Sequence, residues 1–385
     1  MSNIFLRILP MKICKQNVFE RWPIETESCQ LIATSPPYFN LRKYHIPDII
    51  IGGDKNCNHE FGQENKAGIC GTHVNHGSYC IHCNAWQGQY GLETTPFGDE
   101  HSYVEHTRLW AKEAFRVLKN NGVFFLNIAD SYSTVSGGMA QGKYGKLGQN
   151  YNENLGKIKQ PKITNVPSKC QLLIPHRVAI GLVEDGWTLR NTIIWKKENA
   201  MPESVTDRFS KKYEYVFMFS KQEKYYFDLD AVREPHKEVS IERLKRAVSN
   251  NNKWVNGAPG QAKQGLSQPR QNYKERIGSM QSSEFTGGDY LVGNLNPKGK
   301  NPGDIWQIPT QPSSEKHYAM WPERLVDRMV RCSTKKGDTV LDCFAGSCTT
   351  LKVAEELQRV GIGIELGYEG ISRRRTASIQ KKMFV

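Results

Sequence analysis

Three observations predict an α/β fold, a sheet of buried strands covered by helices. Short apolar runs typical of buried strands alternate with segments whose apolar residues recur at helical spacing. Two of these strands, far apart in the chain, lead into loops of small residues or prolines, and ligands of open α/β sheets bind at such loops. The chain has 385 residues, which is enough for one large domain with insertions or for two domains.

The first third of the chain predicts a strand, an insertion and a helix that leads into a second strand. Residues 30–34 (QLIAT) form a short apolar run that stops at the tripeptide SPP, as a buried strand stops at a loop. Residues 45–100 are polar and rich in Gly, His and Cys, which indicates an insertion. Helical spacing predicts a helix over 103–118, and the run VFFLNIA after the tripeptide NNG predicts the next strand.

The rest of the chain continues this alternation around two polar regions. Residues 133–168, rich in Gly, Lys and Asn, predict a surface loop, and residues 236–300 lose most of their apolar content. The other predicted elements are a helix over 172–182, strands over 188–195 and 213–220, a helix over 322–332, the strand TVLDCFA, a helix from Thr349 and the strand VGIGIEL.

Composition and charge narrow the class of protein. The chain has 52 Lys and Arg and 39 Asp and Glu, which gives a net charge of +13. This charge favours a protein with a polyanionic partner over a generally basic protein that has no such partner. No apolar run approaches the ~20 residues that a bilayer requires, and no secretory signal is legible. We therefore expect a cytoplasmic protein with no membrane partner, in which clustered cysteines indicate a metal rather than disulfides.

The sequence DCFAGSCTT at 342–350 predicts a turn that binds a ligand between a buried strand and a helix. Its small residues let a ligand approach the backbone, although such turns also occur in proteins without a ligand. About twenty residues later a second strand ends at Glu365, where nucleoside-binding α/β folds place the acidic residue that hydrogen-bonds ribose hydroxyls. Together the two features indicate a ligand that contains a nucleoside.

The sequence SPPY at 35–38 follows the strand predicted at 30–34, at the edge of the sheet where ligands bind. Two consecutive prolines donate no backbone hydrogen bonds, so the carbonyl oxygens of Ser35 and Pro36 and the Ser35 hydroxyl are available as acceptors for an amino group. Tyr38 offers a flat face on which a planar base can stack. A Pro-Pro-Tyr turn with a packed tyrosine is the simpler interpretation.

The two motifs together resemble those of the amino-methyltransferases, which transfer a methyl group from S-adenosylmethionine to an exocyclic base nitrogen in DNA. SPPY is similar to the catalytic motif of that family, and DCFAGSCTT is similar to its cofactor motif, Asp-x-Phe-x-Gly-Ser-Gly-Thr-Thr. The catalytic motif comes first and a variable region separates the two, as in the β class of the family. With the units at 103–132 and 172–230 and the sequence HYAMWP at 317–322, the resemblance covers roughly two thirds of the chain.

The resemblance implies a class I methyltransferase sheet, Rossmann-like and circularly permuted, with seven strands of which one is antiparallel. It implies S-adenosyl-L-methionine as the cofactor and a target base that is flipped out of the duplex. The implied catalytic residues are Ser35, Pro36, Pro37 and Tyr38. The implied cofactor-binding residues are Asp342, Phe344, Gly346, Ser347, Thr349, Glu365, His317 and Pro322.

The implied reaction is site-specific methylation of an amino group, with Ser35 Oγ and the Pro36 carbonyl oxygen accepting its two N–H bonds. Ser at the first motif position resembles the enzymes that act on cytosine N4, so cytosine is favoured and adenine N6 stays open. A restriction-modification system or a phage is the expected context. Methylation at ring carbon 5 of cytosine requires a Pro-Cys dipeptide, which this chain lacks.

Cys348 departs from the cofactor motif, which usually has glycine at this position. Because cysteine carries a Cβ atom, we expect it to fit only with a negative φ. A degraded cofactor turn would leave a non-catalytic DNA-binding protein, and methylation of RNA is a third hypothesis.

The insertion carries a candidate metal site. Two ligand pairs, Cys57 with His59 and Cys80 with Cys83, predict a tetrahedral structural Zn²⁺ site with no open position for catalysis. The alternative ligands are Cys70, His73, His76 and His82. A loop of reduced thiols without a metal is the simpler interpretation.

Residues 236–300 occupy the place of the family's target-recognition region. They carry eleven Lys and Arg against five Asp and Glu, a surplus of six positive charges that suits contact with phosphates, and a disordered basic loop is the simpler interpretation. The expected partner is double-stranded DNA of the nucleoid, with a cognate restriction endonuclease and a second copy of the chain as further candidates. The predicted organisation is catalytic core at 1–44, insertion at 45–100, core at 101–235, target recognition at 236–300 and the cofactor-binding part of the core at 301–385.

Overall fold

The computed structural model of the protein describes residues 11–44, 46–62, 78–133, 166–246, 295–311 and 321–367. The chain divides into two compact units, Met1–Asp228 with Gly303–Val385 and Leu229–Pro302. Among the described residues, no helix combines the length and the apolar character that crossing a membrane requires.

The described residues of the larger unit form two sheets and four helices. Its described strands are β1 (Lys12–Lys15), β2 (Cys29–Thr34), β3 (Ile49–Ile51), β4 (Ser78–Tyr79), β5 (Trp86–Gly88), β6 (Leu118–Ile128), β7 (Thr188–Lys196), β8 (Tyr213–Ser220), β9 (Ile305–Gln307), β10 (Thr339–Asp342) and β11 (Val360–Glu365). The described helices of the whole chain are α1 (Tyr103–Val117), α2 (Ile174–Glu184), α3 (Glu238–Arg246), α4 (Glu323–Ser333) and α5 (Thr349–Glu356), of which α3 belongs to the smaller unit.

The main sheet confirms the predicted α/β architecture. Its strand order is β1-β11-β10-β2-β6-β8-β7-β9, and neighbours are parallel except where β8 pairs with β6 and β7. The single antiparallel strand is thus as expected. The described sheet has eight strands instead of seven because the three-residue strand β9 adds a parallel edge beside β7.

The centre of the sheet explains the apolar runs of the sequence. Every residue of β2 is buried, as is typical of a parallel strand covered on both faces. Helix α1 begins at the N-cap Ser102, whose side chain accepts from the backbone N–H of Glu105, and it buries Trp110 and Ala114. These features confirm the helix–strand unit read from the sequence.

The predicted starts of two elements differ from the structure by two residues or more, and β10 ends at Asp342 instead of at the predicted Ala345. Strand β6 begins at Leu118, directly after α1, so the NNG tripeptide lies within the strand, and the β2–β6 register shifts between Cys29 and Leu31 to accommodate it. Helix α2 begins two residues later than predicted because Leu173 adopts a left-handed conformation with φ 57°. The changed starts of β6 and α2 do not affect the loops that follow β2 and β10.

The predicted insertion forms a small sheet of its own. Strands β3, β5 and β4 pair antiparallel in that order. Trp86 of β5 is fully buried, and so are Tyr90 and Leu92 just beyond it. The end of the insertion is therefore part of the protein core, which its polar composition did not predict.

The smaller unit is described at residues 229–246 and 295–302. Asp230 pairs with Arg233 at 2.6 Å and with Lys298 at 3.0 Å, and Glu234 and Lys300 form a β-bridge. The segments 134–165 and 247–294, which hold most of the predicted surface loop and of the predicted target-recognition region, lie outside the described residues.

Candidate active site

Strands β2 and β10 are neighbours in the sheet, so the two motifs meet although they lie far apart in the chain. Leu341 pairs with Ile32, and the two strands run parallel. Beyond the paired residues, Thr34 Oγ1 donates a 2.7 Å hydrogen bond to Asp342 Oδ1 across 308 positions of sequence. SPPY follows Thr34 and the cofactor motif begins at Asp342, so both loops start from the same edge of the sheet.

Asp342 anchors the start of the turn at 342–350, which we call the cofactor turn after the role that the resemblance implies. Besides Thr34, its carboxylate accepts from Thr350 Oγ1 at 2.7 Å and from the backbone N–H of Phe344 at 3.1 Å. Burial raises the pKa of Asp342 to about 6, although the two threonine hydroxyls oppose that shift. Because the carboxylate is buried and hydrogen-bonded within the turn, its structural role is to hold the turn against β2.

Glu365 lies at the end of β11 beside the same turn. Its Oε2 accepts from the backbone N–H of Gly346 at 2.7 Å, and its Oε1 accepts from the backbone N–H of Gly367 at 2.9 Å. These two bonds fix both carboxylate oxygens next to the small residues of the turn. A carboxylate held in this way is suited to accept hydrogen bonds from ribose hydroxyls.

The structure corrects the expectation for Cys348, which has a φ of +61° and not a negative one. The residue keeps the left-handed conformation that glycine favours, at a cost of roughly 1–2 kcal/mol. Its side chain is buried and packs with Ala345 and Leu351, and this burial offsets the strain. Cys348 therefore occupies this position of the turn in a left-handed conformation.

Three of the other implied cofactor residues, Phe344, Ser347 and Thr349, belong to this turn or to the start of α5. Ser347 and Thr349 are buried with their hydroxyl oxygens 3.3 Å apart, and the ring of Phe344 packs edge-on against Trp110. Pro322 caps α4, whose first residue, Glu323, pairs with Lys352 in the first turn of α5. His317 lies outside the described residues.

The SPPY loop places Ser35 and Tyr38 in one hydrogen-bonded group with Asn127 of β6. Ser35 Oγ lies 3.2 Å from Tyr38 Oη and 3.4 Å from Asn127 Oδ1, and Tyr38 Oη lies 2.8 Å from Asn127 Oδ1. Asn127 Nδ2 donates to the Tyr215 carbonyl, which turns Oδ1 toward the loop. A serine hydroxyl that donates toward Asn127 or Tyr38 keeps its lone pairs as acceptors.

Two charged residues complete this group. Tyr38 Oη donates to Glu214 Oε2 at 2.8 Å, and Lys197 Nζ forms an ion pair with Glu214 Oε1. Burial, and then the Glu214 carboxylate, raise the pKa of Tyr38 well above its usual range, so the phenol stays protonated. Sequence reasoning missed Asn127 and Glu214, although each is a polar residue in an apolar strand.

The four predicted metal ligands converge in the insertion. The Sγ atoms of Cys57, Cys80 and Cys83 and a ring nitrogen of His59 all lie within 4.8 Å of one another. The Sγ atoms of Cys57 and Cys80 are 3.8 Å apart, and Cys83 Sγ is 3.3 Å from His59 Nδ1. Of the alternative ligands, His82 pairs with Glu60, and Cys70, His73 and His76 lie outside the described residues.

Backbone N–H groups surround Cys80 within this cluster. Desolvation by itself would raise the pKa of Cys80, but hydrogen bonds from the backbone of His82 and Cys83 lower it, whereas desolvation and the neighbouring thiols of Cys83 and Cys80 raise the pKa of Cys57. The thiolate is the form of cysteine that binds metal ions.

Comparison with known proteins agrees with this geometry. A family model described as DNA methylase, of the N6/N4 type, matches residues 29–372. The type II methyltransferase M.SfiI of Streptomyces fimbriatus is 29% identical over an alignment of 354 positions, and the alignment covers 72% of this chain and 79% of that protein. The type II methyltransferase M.Cfr9I of Citrobacter freundii is 27% identical over 353 residues, which cover 92% of this chain and 81% of that protein.

A solved structure shows the same fold. PvuII DNA methyltransferase, described as cytosine-N4-specific, superposes with a TM-score of 0.50 over 96% of this chain and 89% of its own, at 17% sequence identity. The match confirms the class I methyltransferase fold expected from the sequence. Because the family model spans both motifs and the sheet between them, the chain belongs to the N6/N4 DNA methylase family.

Proposed function

We propose that the protein methylates the exocyclic amino group of a flipped-out base at a specific site in double-stranded DNA, with cytosine N4 as the target. The observation that carries this proposal is the hydrogen bond between Thr34 and Asp342, which joins the start of the SPPY loop to the cofactor turn at adjacent strand ends. A donor bound at the turn and a base held at the loop would then share one cleft.

The chain offers a fitting site for S-adenosyl-L-methionine. Glu365 would hydrogen-bond the ribose hydroxyls, and the small residues of the turn from Ala345 to Cys348 would let the ligand approach the backbone. When bound, S-adenosyl-L-methionine supplies a methyl group that its sulfonium charge already activates. The work left to the protein is to orient the acceptor nitrogen.

The SPPY loop would perform that orientation. An exocyclic amine is a poor nucleophile because its lone pair is delocalised into the ring, and acceptors on both N–H bonds favour a tetrahedral nitrogen. Ser35 Oγ and the Pro36 carbonyl oxygen would be these acceptors, with Asn127 and Tyr38 fixing the direction of the serine hydroxyl. Transfer would leave an uncharged thioether on the donor and a positive charge on the nitrogen, and the nitrogen would return to neutral by releasing one N–H proton to solvent. Glu214, which is paired with Lys197, would hold Tyr38 in place beside Asn127.

Cytosine is favoured over adenine by the serine at position 35, which resembles the N4-cytosine enzymes. The cytosine specificity given for PvuII DNA methyltransferase is consistent with that choice. Because the relatives are type II methyltransferases, we place the protein in a restriction-modification context with a cognate endonuclease. We assign contacts with DNA phosphates and bases to residues 236–300, with their surplus of positive charge.

Mass spectrometry of digested DNA from cells that express the chain tests the proposal. We expect N4-methylcytosine at one short recognition sequence, and much less of it in cells that express a Ser35→Ala variant. N6-methyladenine in place of the cytosine product would show that the target base is adenine. DNA without either product would contradict the methyltransferase proposal. Mapping the modified positions would then give the recognition sequence.

We also propose that Cys57, His59, Cys80 and Cys83 bind a structural Zn²⁺ ion. Tetrahedral coordination with Zn–S bonds of ~2.3 Å separates two sulfur ligands by about 3.8 Å, which is the distance between Cys57 and Cys80. Four protein ligands complete the tetrahedron, so the ion would stabilise the small sheet of the insertion and take no part in catalysis.

Removing two of these ligands should remove the metal. The double variant Cys80→Ser, Cys83→Ser is expected to lose the bound ion, of which we expect about one per chain in the wild type, and to unfold at a temperature several degrees lower. Elemental analysis of freshly purified protein and thermal unfolding measure the two effects. Cys170→Ser, at an exposed cysteine outside the cluster, is the control. Wild-type protein without zinc would contradict the metal proposal.

A further inference from the structure

Near its end, the insertion contains a buried segment, residues 89–93, which we call the linking segment. It follows β5 and precedes α1, and Gln89, Tyr90, Leu92 and Glu93 are each at most 4% exposed. A segment this deeply buried between two elements contacts several parts of the core. Its neighbours are the SPPY loop, which we call the catalytic loop in view of its proposed role, and the cofactor turn.

The contact with the catalytic loop is made by Gly91. Its carbonyl accepts a 2.6 Å hydrogen bond from the backbone N–H of Asn40, two residues after Tyr38. Gly91 has a φ of +93°, and a Cβ atom built on it would lie 2.9 Å from Pro37 Cβ. The close approach of the linking segment to the catalytic loop therefore requires glycine at this position.

Gln89 holds the chain that follows the catalytic loop. Its Oε1 accepts from the backbone N–H of Tyr44 at 3.3 Å, and its Nε2 donates to the Ile46 carbonyl at 2.8 Å. With the contacts of Gly91, these bonds fix the catalytic loop and its exit at several points.

Aromatic rings connect the same segment to the cofactor turn. The ring of Tyr90 stacks on Phe344 of the cofactor motif with centroids 5.7 Å apart, and on Tyr103 of α1 with centroids 5.1 Å apart. Tyr103 Oη then donates a 2.8 Å hydrogen bond to the Pro37 carbonyl. A continuous series of contacts thus runs from the cofactor turn through Tyr90 to the SPPY loop.

Glu93 fixes the linking segment itself. Its Oε2 accepts from the backbone N–H of Gly91 at 3.0 Å, and its Oε1 lies 3.0 Å from His106 Nδ1 of α1. Both side chains of this pair are fully buried. Since a buried carboxylate needs partners for both oxygens, the pair holds Gly91 in one position.

We infer that the linking segment sets the distance between the methyl donor and the acceptor nitrogen, with Tyr90 and Gly91 as positioning residues. The inference rests on the proposed methyltransferase function. Transfer requires the reacting atoms to approach in line to about 3–3.5 Å, and a displacement of 1 Å can cost about 10²-fold in rate. A segment that touches both halves of the site controls that distance without touching either substrate.

Gly91→Ala and Gly186→Ala form a matched pair that tests the inference. Both glycines have similar positive φ angles, +93° and +98°, but a Cβ at Gly186 has nothing within 4 Å, whereas one at Gly91 meets Pro37. We expect Gly91→Ala to lower kcat by about 10- to 100-fold. We expect the Kd values for S-adenosyl-L-methionine and for duplex DNA to change less than about threefold, and Gly186→Ala to keep the wild-type kcat.

The outcomes separate this inference from the proposed function. Equal kcat values for the two variants, in an active wild-type protein, would overturn the positioning role and leave the methyltransferase proposal intact. Wild-type protein without methyl transfer would overturn both. If Gly91→Ala does not fold, Tyr90→Leu is measured instead, with Tyr90→Phe expected to recover most of the lost kcat because it restores the ring between Phe344 and Tyr103. Failure of phenylalanine to recover more activity than leucine would also overturn the inference.

Discussion

Replacing Ser35 with alanine is expected to lower kcat for methyl transfer by about 10²- to 10³-fold. The substitution removes one of the two proposed acceptors of the amino group, and it leaves the turn from Asp342 to Thr350 and the Glu365 carboxylate in place. The Kd for S-adenosyl-L-methionine is therefore expected to stay within about twofold of the wild-type value. Single-turnover transfer of a radiolabelled methyl group and calorimetry measure the two quantities separately.

Ser220→Ala is the matched control for this prediction. Ser220 is a buried serine at the end of β8, at the opposite end of that strand from Glu214, and its hydroxyl donates to the Gln222 carbonyl at 2.8 Å. We expect this variant to keep the wild-type kcat. If Ser35→Ala weakens cofactor binding as much as it slows transfer, the serine does not act on the base and the assignment of the loop is wrong.

The types of the elements and the pairing of the two motifs could be predicted from the sequence. Buried parallel strands are recognised in the sequence as unbroken apolar runs. A chain that carries both SPPY and DCFAGSCTT is expected to bring the two motifs together in one site. The hydrogen bond between Thr34 and Asp342 shows that they do meet. Their proximity was implied by the resemblance of the two motifs to those of the amino-methyltransferases, since no local pattern specifies contacts across 308 positions.

Asn127 and Glu214 could not be predicted because their place depends on strand order and direction. Asn127 lies near the end of β6, which happens to be the neighbour of β2. Glu214 is the second residue of β8, and it reaches the same edge only because β8 runs antiparallel to β6. A single polar residue in an apolar strand indicates that a site exists, but it does not identify the strand that will lie beside it.

Cys348 shows a second limit of sequence reasoning. The expectation of a negative φ assumed that a residue with a Cβ atom cannot adopt a positive φ. Such a residue can adopt it, at a cost of roughly 1–2 kcal/mol. Packing of the buried thiol against Leu351 and Ala345 offsets a cost of that size. Whether the motif tolerates the substitution thus depended on contacts that only the folded chain supplies.

Replacing Glu365 with glutamine is expected to raise the Kd for S-adenosyl-L-methionine by about 10- to 100-fold. Glutamine keeps one oxygen and replaces the other with an NH₂ group, which cannot accept from the backbone N–H of Gly346 or Gly367 or from a ribose hydroxyl. Hydrogen bonds to a charged group contribute about 1.5–3 kcal/mol each, so losing one accounts for the expected change. Calorimetric titration with the cofactor measures it directly.

Glu355→Gln makes the same chemical change at another buried glutamate and serves as the control. Glu355 lies in α5, and its Oε1 accepts from the backbone N–H of Met11 at 3.2 Å, a bond that the glutamine oxygen can keep. We expect its Kd for the cofactor to match the wild type. Since Glu365 contacts the cofactor turn and Ser35 lies in the SPPY loop, Glu365→Gln should retain its kcat at saturating cofactor, whereas Ser35→Ala should not. A Glu365→Gln variant that binds the cofactor normally would show that the carboxylate only braces the turn, and the ribose contact would have to be assigned elsewhere.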